Sequence, residues 1–239
     1  MIKIISKDKT KMSFLANMPE TLANAIRRSA LEIPILAVDE VEFFKNDSAL
    51  YDEILAHRIG LIPLVNEKNI KEAELKIKIK GPGTVYSKDL KGKVDVVYGN
   101  IPIVILDKEQ ELELLASAKF GKGIEHAKFS PGLIYYRNLA QIISDKGCDE
   151  CKKCVEACPH NLLIAEKGKI ALKEAYKCDL CEACVEACKK QNKEAIKIEK
   201  SEDLVFFIES WGQIKAEDIF IRAIESLQDN LKELTKEIK

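Results

Sequence analysis

The chain has 239 residues, 46% of them hydrophobic and 32% charged, with 38 basic and 39 acidic side chains giving a formal net charge of −1. This composition supports a folded core and excludes a chain disordered throughout. It also argues against a protein that grips nucleic acid unaided, because neutralising phosphates takes a basic excess.

The opening MIKIISKDKT has no signal-peptide core, and no apolar run approaches the roughly 18 residues of a membrane span, so a cytoplasmic protein is expected. Ile2 and Ile4, then Met12 and Phe14 after a charged break from Ser6 to Lys11, alternate with polar residues as two strands joined by a turn do. Pro19 stands where a first helical turn tolerates it. Leu22, Ile26, Ser29, Ala30 and Ile33 then share one face of a helix that Pro34 ends. ILAVDEVEFF reads as a strand, and SALYDEILAHRIGLIPL as a helix running up to Pro63. Leu75, Ile77 and Ile79 alternate with Lys76, Lys78 and Lys80, which predicts a half-buried strand. In a chain of neutral charge those lysines read as a solvated face rather than a phosphate track. Gly81, Pro82 and Gly83 make a turn, and further strands are expected around Val94–Val97, Ile101–Leu106 and Leu112–Ala118.

All eight cysteines fall between Cys148 and Cys188. A disulfide framework would spread its bridges along a secreted chain, so the cluster reads as a metal site in a reducing compartment. The segment is a repeat: CDECKKCVEAC starts at Cys148 and CDLCEACVEAC at Cys178, each with the spacing C-x2-C-x2-C-x3-C. Three thiolates so spaced wrap one face of a cubane, and the fourth leads into chain turning toward the other cluster. On that logic one 4Fe-4S cluster takes Cys148, Cys151, Cys154 and Cys188, and a second takes Cys178, Cys181, Cys184 and Cys158. Pro159 follows Cys158 as the bacterial-type ferredoxin pattern expects, whereas Lys189 stands where a second proline would be. Zinc is the competing metal, but such zinc sites pair two C-x2-C units and have no use for a third cysteine two residues on.

LVFFIESWG reads as a strand ending at Gly212. The last segment is a long helix in which Phe220, Ile224, Leu227, Leu231, Leu234 and Ile238 are spaced alternately by four and three. That period marks a seam for another helix, either Pro19–Ile33 of the same chain or one from a partner. A helix of roughly 24 residues is long for so small a domain, which favours the partner.

Four stretches, NAIRRSALEIPILAVDEVEF (Asn24–Phe43), LYDEILAHRIGLIPL (Leu50–Leu64), GKGIEHAKFSP (Gly121–Pro131) and FIESWGQIKAEDIFIRAIESL (Phe207–Leu227), resemble the α-like assembly subunits of cellular RNA polymerases, in particular the archaeal D type. The resemblance implies an α+β fold with a discontinuous dimerisation domain, a sheet plus two helices, built from residues 1–43 plus 201–239. An inserted α+β domain would occupy 44–200, with a ferredoxin-like two-cluster subdomain at 145–198. It implies a heterodimer with a smaller α-like subunit, which places Leu22, Ile26 and Ser29 of the first helix and Phe220, Ile224, Leu227, Leu231 and Leu234 of the last at the interface. The pair would recruit other small assembly subunits and dock the large catalytic ones, meeting DNA only through the complex. The clusters are then expected to serve folding or assembly. Arg27, Arg28, His57 and Arg58 fall within the same stretches, as large-subunit contacts or as solvated charges.

No catalytic residues are expected in this chain. It has no Asp-x-Asp-x-Asp set to hold Mg²⁺, no GxxxxGKS/T loop and no GxGxxG. None of His57, His126 and His160 has a second histidine or a cysteine placed for nucleophilic catalysis, and His160 reads as a loop residue beside a cluster. The alternative function, an electron-transfer ferredoxin-type subunit of an oxidoreductase, accounts for the cysteines and leaves the four other stretches unexplained.

Overall fold

The computed structural model describes residues 2–66, 70, 72–144, 148, 151–166, 169–191 and 195–238. In chain order the elements are β1 (Ile2–Lys7), β2 (Lys11–Asn17), α1 (Glu20–Ser29), β3 (Ile35–Asn46), α2 (Asp52–Gly60), β4 (Glu72–Lys80), β5 (Gly83–Tyr86), β6 (Lys91–Gly92), β7 (Pro102–Leu106), β8 (Glu111–Gly121), β9 (Gly132–Ser144), α3 (Lys153–Glu156), β10 (Leu163–Glu166), β11 (Lys169–Leu172), α4 (Ala183–Lys189), β12 (Ile196–Ser210) and α5 (Ala216–Ile238). The class is α+β. The chain divides into two compact units, one made of Met1–Ser6, Ser13–Ala23 and Tyr135–Phe207, the other of Lys7–Met12, Asn24–Ile134 and Ile208–Lys239. No helix among the described residues is long and apolar enough to cross a membrane.

The first unit centres on a sheet of order β1-β2-β12-β9, so the opening hairpin lies beside the strand that follows the cysteine repeat. Successive side chains on a strand face opposite ways, and β12 uses this with two adjacent phenylalanines. Phe206 stacks on Phe14 of β2, centroids 5.1 Å apart with rings 4° from parallel. Phe207 stacks on Tyr135 of β9 at 4.9 Å. The small hairpin β10–β11 completes this unit.

The second unit is built on a sheet of order β3-β8-β4-β6. β4 buries Ala73, Leu75 and Ile77 and leaves its lysines exposed. Lys78 pairs across the ladder with Glu113 at 2.9 Å, so the lysine row is a solvated strand face. β3 begins with a wholly buried run, Ile35–Val38, and is bulged between Val38 and Glu40. A bulge re-aims a side chain, and here Asp39 meets both Lys119 (2.5 Å) and Lys128 (2.6 Å). Leu55 and Ile59 of α2 close the core over Leu36, Leu75, Leu112 and Leu114.

The turn of the opening hairpin and the start of α5 belong to this second unit. The carbonyl of Thr10 accepts the Ser210 amide at 2.7 Å, that of Lys9 accepts the Ala216 amide at 3.2 Å, and Lys7 pairs with Glu217 at 2.5 Å. The first turns of α5 bury Ile219, Phe220 and Ala223 and pack against a short 3-10 turn, Ala30–Glu32.

Three expectations change. The helix expected over Pro19–Ile33 is α-helical only to Ser29, whose hydroxyl donates to the Ala25 carbonyl at 3.0 Å. α2 begins at Asp52 because Asn46 ties Ser48, Leu50 and Asp52 into a turn. Val94–Val97 forms no strand but a single bridge, Leu64 to Val96. Pro63 beside it has no amide to continue the ladder and accepts only the Val97 amide. Strands β5, β6, β9, β10 and β11 were not foreseen from the pattern.

Candidate metal centre

The two halves of the cysteine repeat fold alike. In the first, Lys152 (φ 59°, ψ 4°) leads into α3. In the second, Glu182 (φ 60°, ψ 6°) leads into α4. Both are left-handed, a conformation costing a non-glycine residue of the order of 1 kcal/mol. They occupy equivalent positions of the repeat, between its second and third cysteines. An unfavourable conformation kept twice marks a loop shape that the duplicated spacing imposes. Leu180 is left-handed too (φ 60°), while residues 145–147 and 149–150 around the first loop lie outside the described residues.

Thiols from both halves of the repeat come together. Cys148, Cys151 and Cys154 line one pocket together with Cys188, the last cysteine of the second half, walled by Ile170, Ala195 and Ile196. Cys158, the last cysteine of the first half, packs with Cys178, Leu162 and Leu172. It also packs against the buried group that holds Cys154, Cys184 and Cys188. Among the described residues, no three His, Cys, Asp or Glu side chains close on a point as a single ion requires. In a cubane each thiolate meets a different iron, so four ligands stand wider apart.

Burial sets the thiols' charge. It raises Cys154 and Cys178 above the ordinary 9.0 and pushes Cys184 up to about 11. The amide of Val155 at Cys154, and its counterpart Val185 at Cys184, oppose the rise only in part. Such thiols stay protonated alone. The irons of a cluster supply the positive charge that turns buried thiols into thiolates. Cys151 and Cys181 are exposed, which leaves each loop one accessible thiol. The amide of Leu162 donates to Cys158 Sγ at 3.4 Å, a contact of the kind that tunes cluster potential.

His160, just past Cys158, bonds Asp179, just past Cys178, at 3.1 Å, and this imidazole is the main reason the Asp179 carboxyl sits below its usual range. The histidine is an exposed brace between the halves of the repeat. Arg137 of β9 is a contributor that sequence reasoning missed. Its guanidinium donates to the carbonyl of Tyr176 at 2.7 Å and lies 5.0 Å over the ring of Phe207, which ties the approach to Cys178 to the sheet. Nothing in its local pattern separates it from any other strand arginine.

The residues expected at a partner interface fall into two groups. Ile26, Ser29 and Phe220 are buried within this chain, while Leu22, Leu231 and Leu234 are exposed and Ile224 and Leu227 are half-buried. Arg27 bonds Asn24 on its own helix. Arg58 donates to the Pro102 carbonyl at 2.7 Å, and His57 is exposed. His126 accepts the Lys128 amide at 3.1 Å and caps a turn.

Residues 40–139 match the family described as the RNA polymerase Rpb3/RpoA insert domain, and residues 140–189 the 4Fe-4S dicluster domain. Over nearly its whole length the chain is similar to proteins called DNA-directed RNA polymerase subunit Rpo3. It is 37% identical to that of Methanothermobacter thermautotrophicus, over 98% of this chain and 97% of the relative. For Archaeoglobus fulgidus the identity is 33% over 100% and 97%, and for Methanosarcina acetivorans 34% over 95% and 93%.

Proposed function

Because this chain belongs to the archaeal Rpo3 family of DNA-directed RNA polymerase subunits, we propose that its task in transcription is assembly. It pairs with a smaller α-like subunit, and the heterodimer gathers the other small subunits and seats the large catalytic ones. The chain itself contributes no catalytic group. The observation that carries this reading is similarity along the full length, with an insert domain and a dicluster domain in sequence. The electron-transfer reading accounts for residues 140–189 alone. The work takes place in the cytoplasm, where the polymerase meets DNA.

The dimerisation domain is residues 1–43 plus 201–239, and the insert domain is 44–200 with the ferredoxin-like part at 145–198. In support, the hairpin turn at Lys7–Lys11 bonds to Ser210, Ala216 and Glu217. The pairing surface is the distal half of α5, where Leu231 and Leu234 are left exposed by the described residues. Exposed apolar side chains along one helix are what a second helix covers.

Two 4Fe-4S clusters bind with crossed ligands, Cys148, Cys151, Cys154 and Cys188 to one, Cys178, Cys181, Cys184 and Cys158 to the other. In support, the first quartet lines one pocket and Cys158 sits beside Cys178. Crossed ligation makes cluster binding part of folding this segment, so the clusters hold the insert in shape for assembly. The test is the native mass of the complex isolated anaerobically from cells, with iron and sulfide counted per chain. Large polymerase subunits and about eight irons per chain are expected. A complex with a flavin- or molybdenum-containing partner instead would refute the assembly role.

A further inference from the structure

Inside the first unit, the two halves of the cysteine repeat are fastened to the sheet at different depths. The aromatic centre of that sheet lies where Tyr135 and Tyr136 of β9 meet Phe207 and Phe206 of β12, with ring centroids 4.9 and 5.5 Å apart. Tyr136 and Asn138 also bond Glu20 at the start of α1, at 3.3 and 2.9 Å. Arg137 stands between these two residues and reaches the second half of the repeat. Its guanidinium lies over Phe207 and donates to the carbonyl of Tyr176, two residues before Cys178, at 2.7 Å. Cys178 itself packs with Ala140 of β9 and Ile198 of β12.

The first half meets the same two strands farther out. Cys148 and Cys154 share a buried group with Ile142 and Ile196. Ile170, which walls the pocket of Cys148, Cys151 and Cys154, donates its amide to the Ser144 hydroxyl at 3.3 Å. At about 3.3 Å of rise per residue, Ser144 lies about 23 Å along β9 from Arg137. Cys184 joins this outer group, so the second half touches both depths. Strand ends open locally, while contacts near the buried centre of a sheet open only with the sheet.

We propose that the order of this sheet depends on iron bound by the second half of the repeat and not on iron bound by the first, and that Arg137 is the positioning residue that couples the two. With Cys178 held, the Tyr176 carbonyl stays under the guanidinium, which keeps its place on Phe207. With Cys178 released, the approach to it loosens, the guanidinium loses its acceptor and the aromatic centre loses a cover. The order of the outer end alone depends on Cys148, Cys151 and Cys154. This inference rests on the reading that each half holds a cubane, and names the half that the assembly role uses.

Cys151→Ala and Cys181→Ala are matched perturbations, because both thiols are exposed and each is the second cysteine of its half. Each full-length chain is isolated anaerobically and its iron counted. Deuterium exchange is then followed at the amides of Leu204, Val205 and Phe206, buried residues of β12. Iron should fall from about eight to about four in both variants. Exchange should quicken by about ten-fold or more in Cys181→Ala, the scale of one charged hydrogen bond, and by less than about two-fold in Cys151→Ala. In an Arg137→Met chain, adding Cys181→Ala should quicken exchange by less than about two-fold, since the link is already cut. Unchanged iron in both cysteine variants overturns the two-cubane reading and this inference with it. Halved iron with equal exchange in the two, or with faster exchange in Cys151→Ala, overturns this inference alone. Loss of all iron in both also overturns it, because the halves are then inseparable. A Cys181→Ala effect undiminished by Arg137→Met overturns the coupling, since a merely structural contact adds to that effect instead of absorbing it.

Discussion

Crossed ligation makes an arithmetic prediction that uncrossed ligation reverses. Eight thiols at four per cubane give two clusters and about eight irons per chain. Cys154 and Cys188 lie in different halves of the repeat yet line the same pocket. Replacing both with alanine should remove one cluster and leave about four irons. Cys154 and Cys158 lie four residues apart in one half, but Cys158 packs beside Cys178, so replacing that pair should remove both clusters and bring the count near zero. Alanine is preferred to serine because a serine oxygen can substitute as an iron ligand. Iron and acid-labile sulfide, assayed anaerobically beside the visible absorbance of each variant, give the counts. Equal counts in the two double variants, or the reverse order, would refute the pairing inferred from the pocket. In the same variants, heterodimer yield should fall with iron, and normal assembly without iron would sink the structural role of the clusters.

Leu231→Asp and Leu234→Asp, at exposed positions, should change the free chain's stability by no more than about 0.5 kcal/mol while abolishing the heterodimer in sedimentation. Phe220→Ala, at a buried one, should cost about 3–5 kcal/mol in urea unfolding. If the aspartate variants still pair, the distal half of α5 is not the seam. Hydrogen bonds from Lys119 and Lys128 hold the Asp39 carboxyl below its ordinary 3.8, so the folded chain takes up that proton less readily than the unfolded one. Its contribution is complete above that ordinary value and is lost as pH falls through the lower, folded one. Asp39→Asn should therefore flatten the acid side of the stability profile; an unchanged acid limb in urea midpoints would count against the pairing. Arg137→Met keeps a stem over Phe207 but loses the bond to Tyr176, a charged hydrogen bond worth about 1.5–3 kcal/mol. Iron should then leave faster to a chelator, and an unchanged release rate would remove Arg137 as a tie to the cluster loop.

What could be read directly from the residues was whatever repeats. The alternation in β4 separates Leu75 and Ile77 from their lysines, the three-four spacing of α5 marks its apolar stripe, and the duplicated cysteine spacing foretells two equivalent loops. Val94–Val97 looked like a strand because its residues favour one, but strands need a neighbour's donors, and Pro63 withholds one. β9 escaped notice because its aromatic and charged side chains sit half-buried on both faces, so no clean two-residue period survives. A stripe along a helix also does not say what covers it. Ile26 and Phe220 face the chain's own interior, while Leu231 faces out, and only the packing of α5 on Ala30–Glu32 separates them. The bulge at Asp39 has no local signature, since its ion pairs depend on residues distant in sequence.

The neighbouring positions of β9 and β12 in one sheet bear on how this polypeptide is put together. The strand running out toward the cysteines and the strand returning from them lie side by side, so the cysteine segment leaves this sheet and rejoins it at adjacent strands. Tightening that excursion into a short turn would reroute no strand, and closing a shorter loop changes the entropic cost only slowly with length. A chain shortened between these two strands should therefore keep the strand order β1-β2-β12-β9.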